Sequence, residues 1–574
     1  MTPREALKTY FGYDDFRLLQ AEIVQSVLDG RDTLALMPTG GGKSLCFQVP
    51  TMVMNGLCLV ITPLIALMKD QVENLRRRDI HAAAIYTGMS YEQQKTALDN
   101  CMWGPYHFLY VSPERLESEE FRERLARLPI CLIAVDEAHC ISQWGYDFRP
   151  SYLKIAEIRE VIRRKAKGDE AMRREVPILA LTATATPEVV DDIQERLAFR
   201  EKNVLRKSFL RSNLSYVVRE TNKKADEIVH ILSRVPGSAI VYVRNRQRAQ
   251  ELAAYLQDKG LSADFYHAGL SSKERAAKQE AWKIGEKQGI RVIVATNAFG
   301  MGIDKPDVRV VIHHDLPDTI EAYFQEAGRA GRDEQKAFAV LLYDPSQDKA
   351  KARKRVADNY PEPDFVSNVY HKTCNYLGVG ADSGQGATFF LNVYDLCAKM
   401  HLPVIPTYSA LHMLSQIGYF SFEEEQEIQP RVLLRVQRRE LDNYNLTDAQ
   451  MALLESLMRE YTGIFTDLQY VRNIDENTHK LLVSLAEKRV ISYVSRTVAN
   501  VLRFTVNRQT LIRIPEDFYT QRKNHYVDKL KAMVEYADNQ QYCRSQLLLS
   551  YFGEHDAAAC GSCDICRIKK KERS

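Results

Sequence analysis

The chain has 574 residues, of which 45% are hydrophobic and 27% charged, and its formal net charge is +3. A chain of this length exceeds what one hydrophobic core supports, so we expect roughly three to four domains. The small net charge excludes a uniformly basic protein, and any contact with nucleic acid must depend on local basic surface.

The composition also bears on where the protein acts. No run of residues approaches the roughly 20 apolar residues of a membrane span, and the amino terminus lacks an apolar signal core. We therefore expect a cytoplasmic protein, in the bacterial cytosol or nucleoid, without a membrane partner. The chain has 11 cysteines, which in a reducing cytosol are more often thiols or metal ligands than disulfides.

Up to about residue 345, short apolar runs alternate with amphipathic stretches. This alternation is typical of βαβ units, in which the apolar runs form buried parallel strands. The rhythm restarts after a polar connector, Arg200–Arg206, which predicts an α/β fold with two successive parallel-sheet domains. The predicted strands include Leu57–Ile61, Phe108–Val111, Cys131–Val135, Pro177–Leu181, Ala239–Val243, Arg291–Ala295 and Val308–His313.

A glycine-rich run follows the predicted strand Leu34–Leu36 and opens a predicted helix. Such a loop lets backbone N–H groups curl around phosphate oxygens, and the helix start favours an anion. Lys43 is expected to reach the β- and γ-phosphates, and the Ser44 hydroxyl to ligate Mg²⁺. Met37 stands where the common pattern has its first glycine. The alternative, a chance Gly/Lys turn, is disfavoured by the flanking strand and helix. The run is Thr39-Gly40-Gly41-Gly42-Lys43-Ser44.

An acidic pair follows the predicted strand Cys131–Val135, in the run Asp136-Glu137-Ala138-His139. Parallel sheets bind their ligands at the carboxyl ends of the strands. Asp136 is expected to hold Mg²⁺ and Glu137 to polarise the attacking water, and His139 completes this catalytic group. Alone the pair would indicate a solvated turn, but together with the phosphate loop it indicates an ATPase.

The second predicted domain contributes Gln325, Arg329 and Arg332 to the catalytic set. A guanidinium stabilises the charge that spreads over the γ-phosphate oxygens during phosphoryl transfer. Arginines three apart share one face if the helix beginning at Thr319 continues through them. A surface arginine pair is the alternative, but the glycines beside each arginine favour close approach to another group.

After Asp344 the βαβ rhythm ends and a helical accessory region begins. Three predicted helices followed by a hairpin of two predicted strands there have the order of a winged helix. The helices are Ala449–Tyr461, Leu468–Ile474 and Glu476–Lys488, and the strands are Val490–Ser495 and Val501–Val506.

Four cysteines near the carboxyl end have the spacing C-x16-C-x2-C-x2-C, namely Cys543, Cys560, Cys563 and Cys566. Four thiolates suit a tetrahedral structural Zn²⁺, and such a closed site leaves no position for chemistry. An iron–sulfur cluster or uncoordinated thiols are the alternatives.

These motifs resemble the superfamily-two helicases, and in detail the RecQ family, over about residues 10–345. The resemblance implies two RecA-like motor domains and makes Arg332 the arginine finger. It also implies that Tyr13 stacks on adenine, Gln20 bonds the adenine edge and Arg17 supports the nucleotide. Matching runs include Ile61–Gln71 and Tyr110–Arg115 as DNA-backbone motifs, Leu181–Ala185 as the coupling motif, and Tyr266–Leu270 and Ala295–Pro306 in the second domain.

The run Cys140–Pro150 resembles the aromatic-rich loop that links DNA contact to hydrolysis in the RecQ family. Trp144 and Phe148 are expected to stack on bases of a single strand and Arg149 to pair with a phosphate. RNA helicases with the same acidic motif lack this loop, so the resemblance favours DNA. A loop that packs two aromatic rings into a core is the alternative. Tyr146 stands where the family usually has histidine, which puts any role of that histidine in doubt.

The order of the accessory parts departs from the family, because the zinc module usually follows the motor directly. We predict motor domains at 1–205 and 206–346, a helical and winged-helix accessory region at 347–520, and a zinc module at 521–574. The displaced zinc module is expected to reach the motor nevertheless, and no helical HRDC domain is expected after it.

The resemblance implies an ATP-dependent helicase that moves 3′ to 5′ on single-stranded, forked or branched DNA, in recombination, repair and fork processing. ATP, Mg²⁺ and Zn²⁺ are its expected cofactors, and single-strand-binding proteins or topoisomerases its expected protein partners. Arg496 is a candidate DNA contact, although a solvated turn explains it equally well. An RNA helicase, or an ATP-gated protein that binds or anneals DNA, is the alternative.

Overall fold

A computed structural model describes residues 1–38, 40–86, 89–142, 148–165, 176–285, 289–300, 305–428, 430–461, 464, 469–471, 474–495 and 497–572. The chain forms two compact units, which we describe separately. The first comprises residues 1–352 and 525–574, and the second comprises residues 353–524.

The first α/β domain, residues 1–206, is built on a seven-stranded parallel sheet in the order β3-β4-β2-β5-β6-β1-β7. Its central strands are fully buried, as expected of a parallel sheet that is covered on both faces. The strands are β1 Thr33–Leu36, β2 Leu57–Ile61, β3 His81–Ile85, β4 Tyr106–Val111, β5 Ile130–Val135, β6 Ile178–Thr182 and β7 Val204–Arg206.

Helices surround this sheet and present apolar faces to it. Several begin with a side-chain cap: Ser90, for example, accepts a hydrogen bond from the Gln93 N–H and forms a capping box. The helices are α1 Pro3–Ala6 with a π-helical continuation Leu7–Phe11, α2 Gln20–Leu28, α3 Leu45–Met54, α4 Ile65–Arg76, α5 Tyr91–Trp103, α6 Glu119–Leu125, α7 Ile155–Lys165 and α8 Pro187–Arg196, with 3₁₀ turns at Pro113–Glu117, Ala138–Ile141 and Pro150–Lys154.

The second α/β domain, residues 214–343, has a six-stranded parallel sheet in the order β10-β11-β9-β12-β13-β8. Two parallel-sheet domains in tandem confirm the predicted fold class. The strands are β8 Leu214–Glu220, β9 Ser238–Tyr242, β10 Ala263–Tyr266, β11 Val292–Ala295, β12 Val308–His313 and β13 Ala337–Tyr343, and the helices are α9 Lys224–Arg234, α10 Arg246–Asp258, α11 Ser272–Ile284 and α12 Ile320–Ala327.

The second unit contains a winged-helix arrangement, but its elements lie mostly outside the predicted ones. Three helices pack with a sheet in the order β14-β19-β15, in which β19 pairs antiparallel with both neighbours and β14 lies between the first two helices in the chain. After α13 Pro345–Asn359, which runs into this unit, the elements are α14 Pro363–Tyr376, β14 Thr388–Leu391, α15 Val393–Met400, α16 Val404–Ile417, β15 Phe420–Ile428 and β19 Thr497–Phe504.

A subdomain is inserted between β15 and β19, at the position of the wing. Its sheet has the order β17-β16-β18, and its own core includes Val432, Leu454 and Leu482. The elements are β16 Arg431–Leu434, a 3₁₀ helix Arg438–Asn443, α17 Asp448–Glu460, β17 Gln469–Tyr470, α18 Glu476–Glu487 and β18 Ile491–Val494.

Two of the predicted helices, α17 and α18, are confirmed, but the predicted helix Leu468–Ile474 is wrong because Gln469–Tyr470 pairs with β16 as a strand. The predicted hairpin is also wrong, since β18 pairs with β16 whereas β19 pairs with β14 and β15. The physical reason is that Ile491 packs into the core of the insertion, while Leu502 packs into the core of the winged helix. Arg496 lies outside the described residues.

The cysteine module, residues 525–572, returns to the first unit and packs on both α/β domains and their connector. The Phe552 ring lies 5.4 Å from the Phe209 ring and 5.0 Å from the Phe324 ring, centroid to centroid. Glu554 accepts hydrogen bonds from the Ser208 hydroxyl at 2.6 Å and the Phe209 N–H at 2.8 Å. The expectation that the displaced module reaches the motor is confirmed. The helices are α19 Glu516–Asp538, α20 Arg544–Tyr551 and α21 Asp564–Glu572.

Among the helices of the described residues, none combines the length and the apolar character needed to cross a membrane.

Candidate functional site

The glycine loop lies between β1, the strand next to the edge strand β7 of the first sheet, and α3, for which Ser44 is the N-terminal cap residue. Gly40 has φ +83° and Gly42 has φ +72°, a left-handed conformation that favours glycine. Met37 is fully buried, and its sulfur lies 3.6 Å from that of Cys46. The departure from the common pattern is therefore accommodated in the core, where the Met37 methyl group lies next to Gly41. Thr39 lies outside the described residues.

Gln20, predicted to read adenine, contacts the glycine loop directly. Its side-chain N–H₂ donates to the carbonyls of Gly41 at 3.2 Å and Gly42 at 3.1 Å, and its carbonyl accepts from the Arg17 backbone N–H at 2.9 Å. Tyr13 is 41% exposed. The three residues thus lie along the segment that packs on the loop, and their contacts with adenine stay a prediction.

The acidic pair follows β5 at the carboxyl edge of the sheet. The Asp136 N–H donates to the Ile61 carbonyl at 2.9 Å, and the Thr62 hydroxyl lies 3.5 Å from Asp136 Oδ2. Burial, and then the neighbouring charge of Glu137, raises the pKa of Asp136 to about 6, although Lys43 opposes this shift. Thr62 was not singled out from the sequence, but it follows β2, the strand next to β5.

Glu137 has a lowered pKa for a different balance of reasons. Burial works against its ionisation, but the electrostatic effects of Lys43, His139 and Arg329 together outweigh burial. Its backbone is left-handed, with φ +48°. Glu137 is therefore held as a carboxylate between cations from both α/β domains.

His139 links the acidic motif to the predicted coupling motif. Its Nδ1 lies 2.9 Å from the Thr182 hydroxyl at the end of β6 and 3.3 Å from Glu137 Oε2, and its ring is buried. Thr182 also bonds within its own turn, because its hydroxyl lies 3.2 Å from the Thr184 carbonyl. The histidine thus connects the acidic pair with the turn after β6.

The second α/β domain brings its arginines to the glycine loop. A Cβ atom added to Gly40 would lie 3.3 Å from Cγ and 3.4 Å from Cδ of Arg332, so the arginine side chain rests against the loop. Arg329 is 6% exposed and donates to the Gly300 carbonyl. Gln325 is half-buried on α12. The condition for a shared helical face, a helix that continues through both arginines, is not met, because α12 ends at Ala327 and both arginines lie in the turns after it.

The predicted DNA-contact loop is only partly described. Trp144 and Tyr146 lie outside the described residues, whereas Phe148 and Arg149 are half-buried. The Arg149 guanidinium lies 3.9 Å from the carboxylate of Glu114, a residue of a predicted DNA-backbone motif. The backbone N–H of Arg149 donates to the Cys140 carbonyl at 2.8 Å. The end of the loop is thereby attached to the loop's first residue, which directly follows the acidic motif, and to that backbone motif.

The four cysteines near the carboxyl end converge on one point, with all their sulfurs within 4.8 Å of one another. The sulfur of Cys543 lies 3.4 Å from that of Cys560 and 3.9 Å from that of Cys563. Four sulfurs at the usual zinc–sulfur bond length of about 2.3 Å would be roughly 3.8 Å apart, so the geometry fits a tetrahedral zinc ion. Backbone N–H groups of Cys560, Cys563 and Cys566 point at cluster sulfurs at 3.3 to 3.4 Å, as suits thiolates.

Three family models match the chain in succession. Residues 17–193 match the DEAD/DEAH box helicase model, residues 223–334 the helicase conserved C-terminal domain, and residues 500–567 the RecQ zinc-binding model. The helicase models support ATP as the nucleotide. The zinc-binding model covers all four cysteines of the cluster and supports zinc as the metal.

Among solved structures, the chain is similar to "DUF1998 helicase MrfA bound to DNA", with a TM-score of 0.50 and 18% identity over 73% of this chain and 60% of that one. This likeness concerns the fold alone.

Similar curated proteins carry helicase names. The chain is 41% identical to "ATP-dependent DNA helicase RecQ" of Haemophilus influenzae over 60% of this chain and 54% of that protein. It is also 41% identical to "Probable ATP-dependent DNA helicase RecS" of Bacillus subtilis, over 60% of this chain and 67% of that protein. The chain thus spans about half the length of the Haemophilus relative and two thirds of the Bacillus one. From these matches and the cysteine cluster, the chain belongs to the RecQ family of helicases.

Proposed function

We propose that this protein is an ATP-dependent DNA helicase that moves 3′ to 5′ and opens duplex, forked or branched DNA. The observation that carries the proposal is the contact of Arg332 with Gly40, because it joins the second α/β domain to the phosphate loop of the first. An ATPase that needs both domains for hydrolysis can convert each cycle into relative movement of the two.

In this proposal Lys43 and the loop N–H groups bind the β- and γ-phosphates, and Ser44 and Asp136 hold Mg²⁺. The ion, when bound, neutralises the developing phosphate charge. Glu137 orients and polarises the attacking water, since its carboxylate is kept ionised by neighbouring cations. Arg332 and Arg329 stabilise the charge on the γ-phosphate, and Tyr13, Arg17 and Gln20 hold the adenine end.

DNA contact is proposed for the loop that ends at Phe148 and Arg149, together with Trp144. The His139–Thr182 bond supports a route from this loop to the hydrolysis site, because His139 lies in the motif that the loop follows. DNA as the substrate is proposed by similarity to the named relatives. Polarity, the preferred DNA structure and a role in recombination, repair or fork processing are proposed from the resemblance to the RecQ family.

Lys43→Ala tests the proposal in the full chain. It should abolish ATP hydrolysis and leave binding of single-stranded DNA largely intact, whereas the control Lys8→Ala should change neither. Lys8 suits this purpose because it belongs to the same domain and its side chain is 73% exposed. Unchanged turnover in Lys43→Ala would overturn the site assignment.

The nucleic acid and the polarity need a second experiment. Single-stranded DNA should stimulate hydrolysis more strongly than RNA of the same sequence. A strand-displacement panel with 3′ and 5′ overhangs, forks and four-way junctions should show unwinding only where a 3′ single strand is available for loading. Stronger stimulation by RNA, or displacement that requires a 5′ overhang, would contradict the proposal.

A further inference from the structure

A buried ion pair joins the cysteine module to the helix that precedes the two arginines. Lys529 Nζ on α19 lies 2.9 Å from Glu321 Oε1 on α12, and the two side chains are 8% and 3% exposed. Glu321 is in the first turn of α12, where the helix dipole favours a carboxylate. The pair therefore fixes one end of α12 to α19.

The contact between α12 and the cysteine module extends beyond this pair. The Tyr323 ring lies 5.3 Å from the Tyr536 ring, and the Phe324 ring lies 5.0 Å from the Phe552 ring. Tyr323 and Tyr536 are both buried. Glu321, Tyr323 and Phe324 of α12 thus contact the cysteine module. The ring contacts permit α12 to slide along the module more readily than the ion pair does.

The other end of α12 leads directly into the hydrolysis site. The helix ends at Ala327, Arg329 follows and donates to the Gly300 carbonyl, and Arg332 rests against Gly40. A small displacement of α12 along its axis would move both guanidiniums relative to the phosphate loop. Positioning errors of this kind are costly, because a shift of roughly 1 Å in a catalytic group can reduce the rate about 100-fold.

Buried ion pairs are poor sources of stability, because desolvation offsets their attraction, but they can specify the register of two packed elements. We propose that Lys529 and Glu321 are positioning residues for the ATPase: they set the register of α12 on the cysteine module and thereby place Arg329 and Arg332. This inference rests on the proposed ATPase function. The cysteine module would then take part in hydrolysis through its contact with α12, whereas its closed four-sulfur metal site offers no position for chemistry.

The test uses the full chain with Glu321 and Lys529 both replaced by leucine. The two leucines nearly keep the packing volume and remove the ion pair that sets the register of α12 on α19. Zinc content and melting temperature should stay near those of the wild type and the KM for ATP within about twofold, while kcat with saturating single-stranded DNA falls at least tenfold. The matched control is Lys531→Leu on the same helix, where the side chain is 70% exposed, and its kcat should be unchanged.

A purely structural role predicts a different result. If the pair acts through the two arginines, the double substitution should cause no further loss of kcat in a background that carries both Arg329→Ala and Arg332→Ala, and a further tenfold loss there would overturn the inference. An unchanged kcat in the zinc-loaded double variant would also overturn it. Should that variant fail to fold, the pair Glu321→Gln and Lys529→Met, which nearly keeps both side-chain lengths and removes both charges, should lower kcat without raising KM; an unchanged kcat would then refute the inference.

The two proposals fail in distinguishable ways. A wild-type chain without DNA-stimulated ATP hydrolysis would refute the proposed function. A wild-type chain that hydrolyses ATP, with a folded double variant that matches it, would refute only the positioning role.

Discussion

Asp136→Asn should make the first α/β domain more stable while it abolishes hydrolysis. Burial and the charge of Glu137 raise the pKa of Asp136 from 3.8 to about 6 in the folded chain. The folded state therefore binds the Asp136 proton more tightly than the unfolded state does, and its stability falls as the pH rises between about 4 and 6. At neutral pH, ionised Asp136 costs the fold roughly 3 kcal/mol, because each pKa unit corresponds to about 1.36 kcal/mol.

Asparagine has nearly the shape of the protonated acid and carries no charge, so it should relieve this cost. The expected gain is roughly 3 kcal/mol at about pH 8 and about half that at pH 5, where the wild-type acid is mostly protonated in the fold. Urea unfolding in magnesium-free buffer, followed by circular dichroism at both pH values, measures the difference. A variant less stable than the wild type at pH 8, or a gain that does not shrink at pH 5, would refute the reasoning.

Three further predictions concern the separate parts of the site. Arg332→Ala should lower kcat for ATP hydrolysis by roughly 10³ or more with little change in nucleotide affinity, and a loss below tenfold would mean that Arg332 does not act on the phosphates. Cys563→Ser should release zinc, measured by mass spectrometry against the control Ser562→Ala, and should unfold the cysteine module; retention of a full zinc equivalent would contradict the four-sulfur site. Phe148→Ala should raise the Kd for single-stranded DNA roughly tenfold in fluorescence anisotropy, since stacking contributes about 1–3 kcal/mol per base, and an unchanged Kd would remove Phe148 from the DNA site.

The parts that the sequence predicted correctly depend on local patterns. The strands before the glycine loop and before Asp136 are continuous apolar runs, which in a parallel sheet are buried on both faces. The motifs follow those strands immediately, so sheet geometry alone brings them to one edge. Residue spacing also sufficed for the cysteine cluster, because three of its ligands lie within seven residues of one another.

The parts that the sequence did not predict depend on pairing between distant segments. β15 and β19 are neighbours in the sheet although a whole subdomain separates them in the chain, so the winged helix was assigned to the wrong elements. Local periodicity also cannot show that Glu321 meets Lys529, or that α12 stops before Arg329, where Gly328 is the C-terminal cap residue. These features arise from tertiary packing, which overrides local helix preference.

The inserted subdomain is connected to the winged helix through two strand ends that pair with each other. Ile428 lies directly opposite Thr497 in the antiparallel pair of β15 and β19, so the insertion leaves and re-enters the winged helix at a single rung of the ladder. Two strand ends held in this way can be closed by a two-residue turn such as Asn-Gly. The subdomain can therefore be removed without breaking the sheet that carries it: its deletion would leave that sheet with an ordinary hairpin, and a different domain could be grafted at the same residue pair.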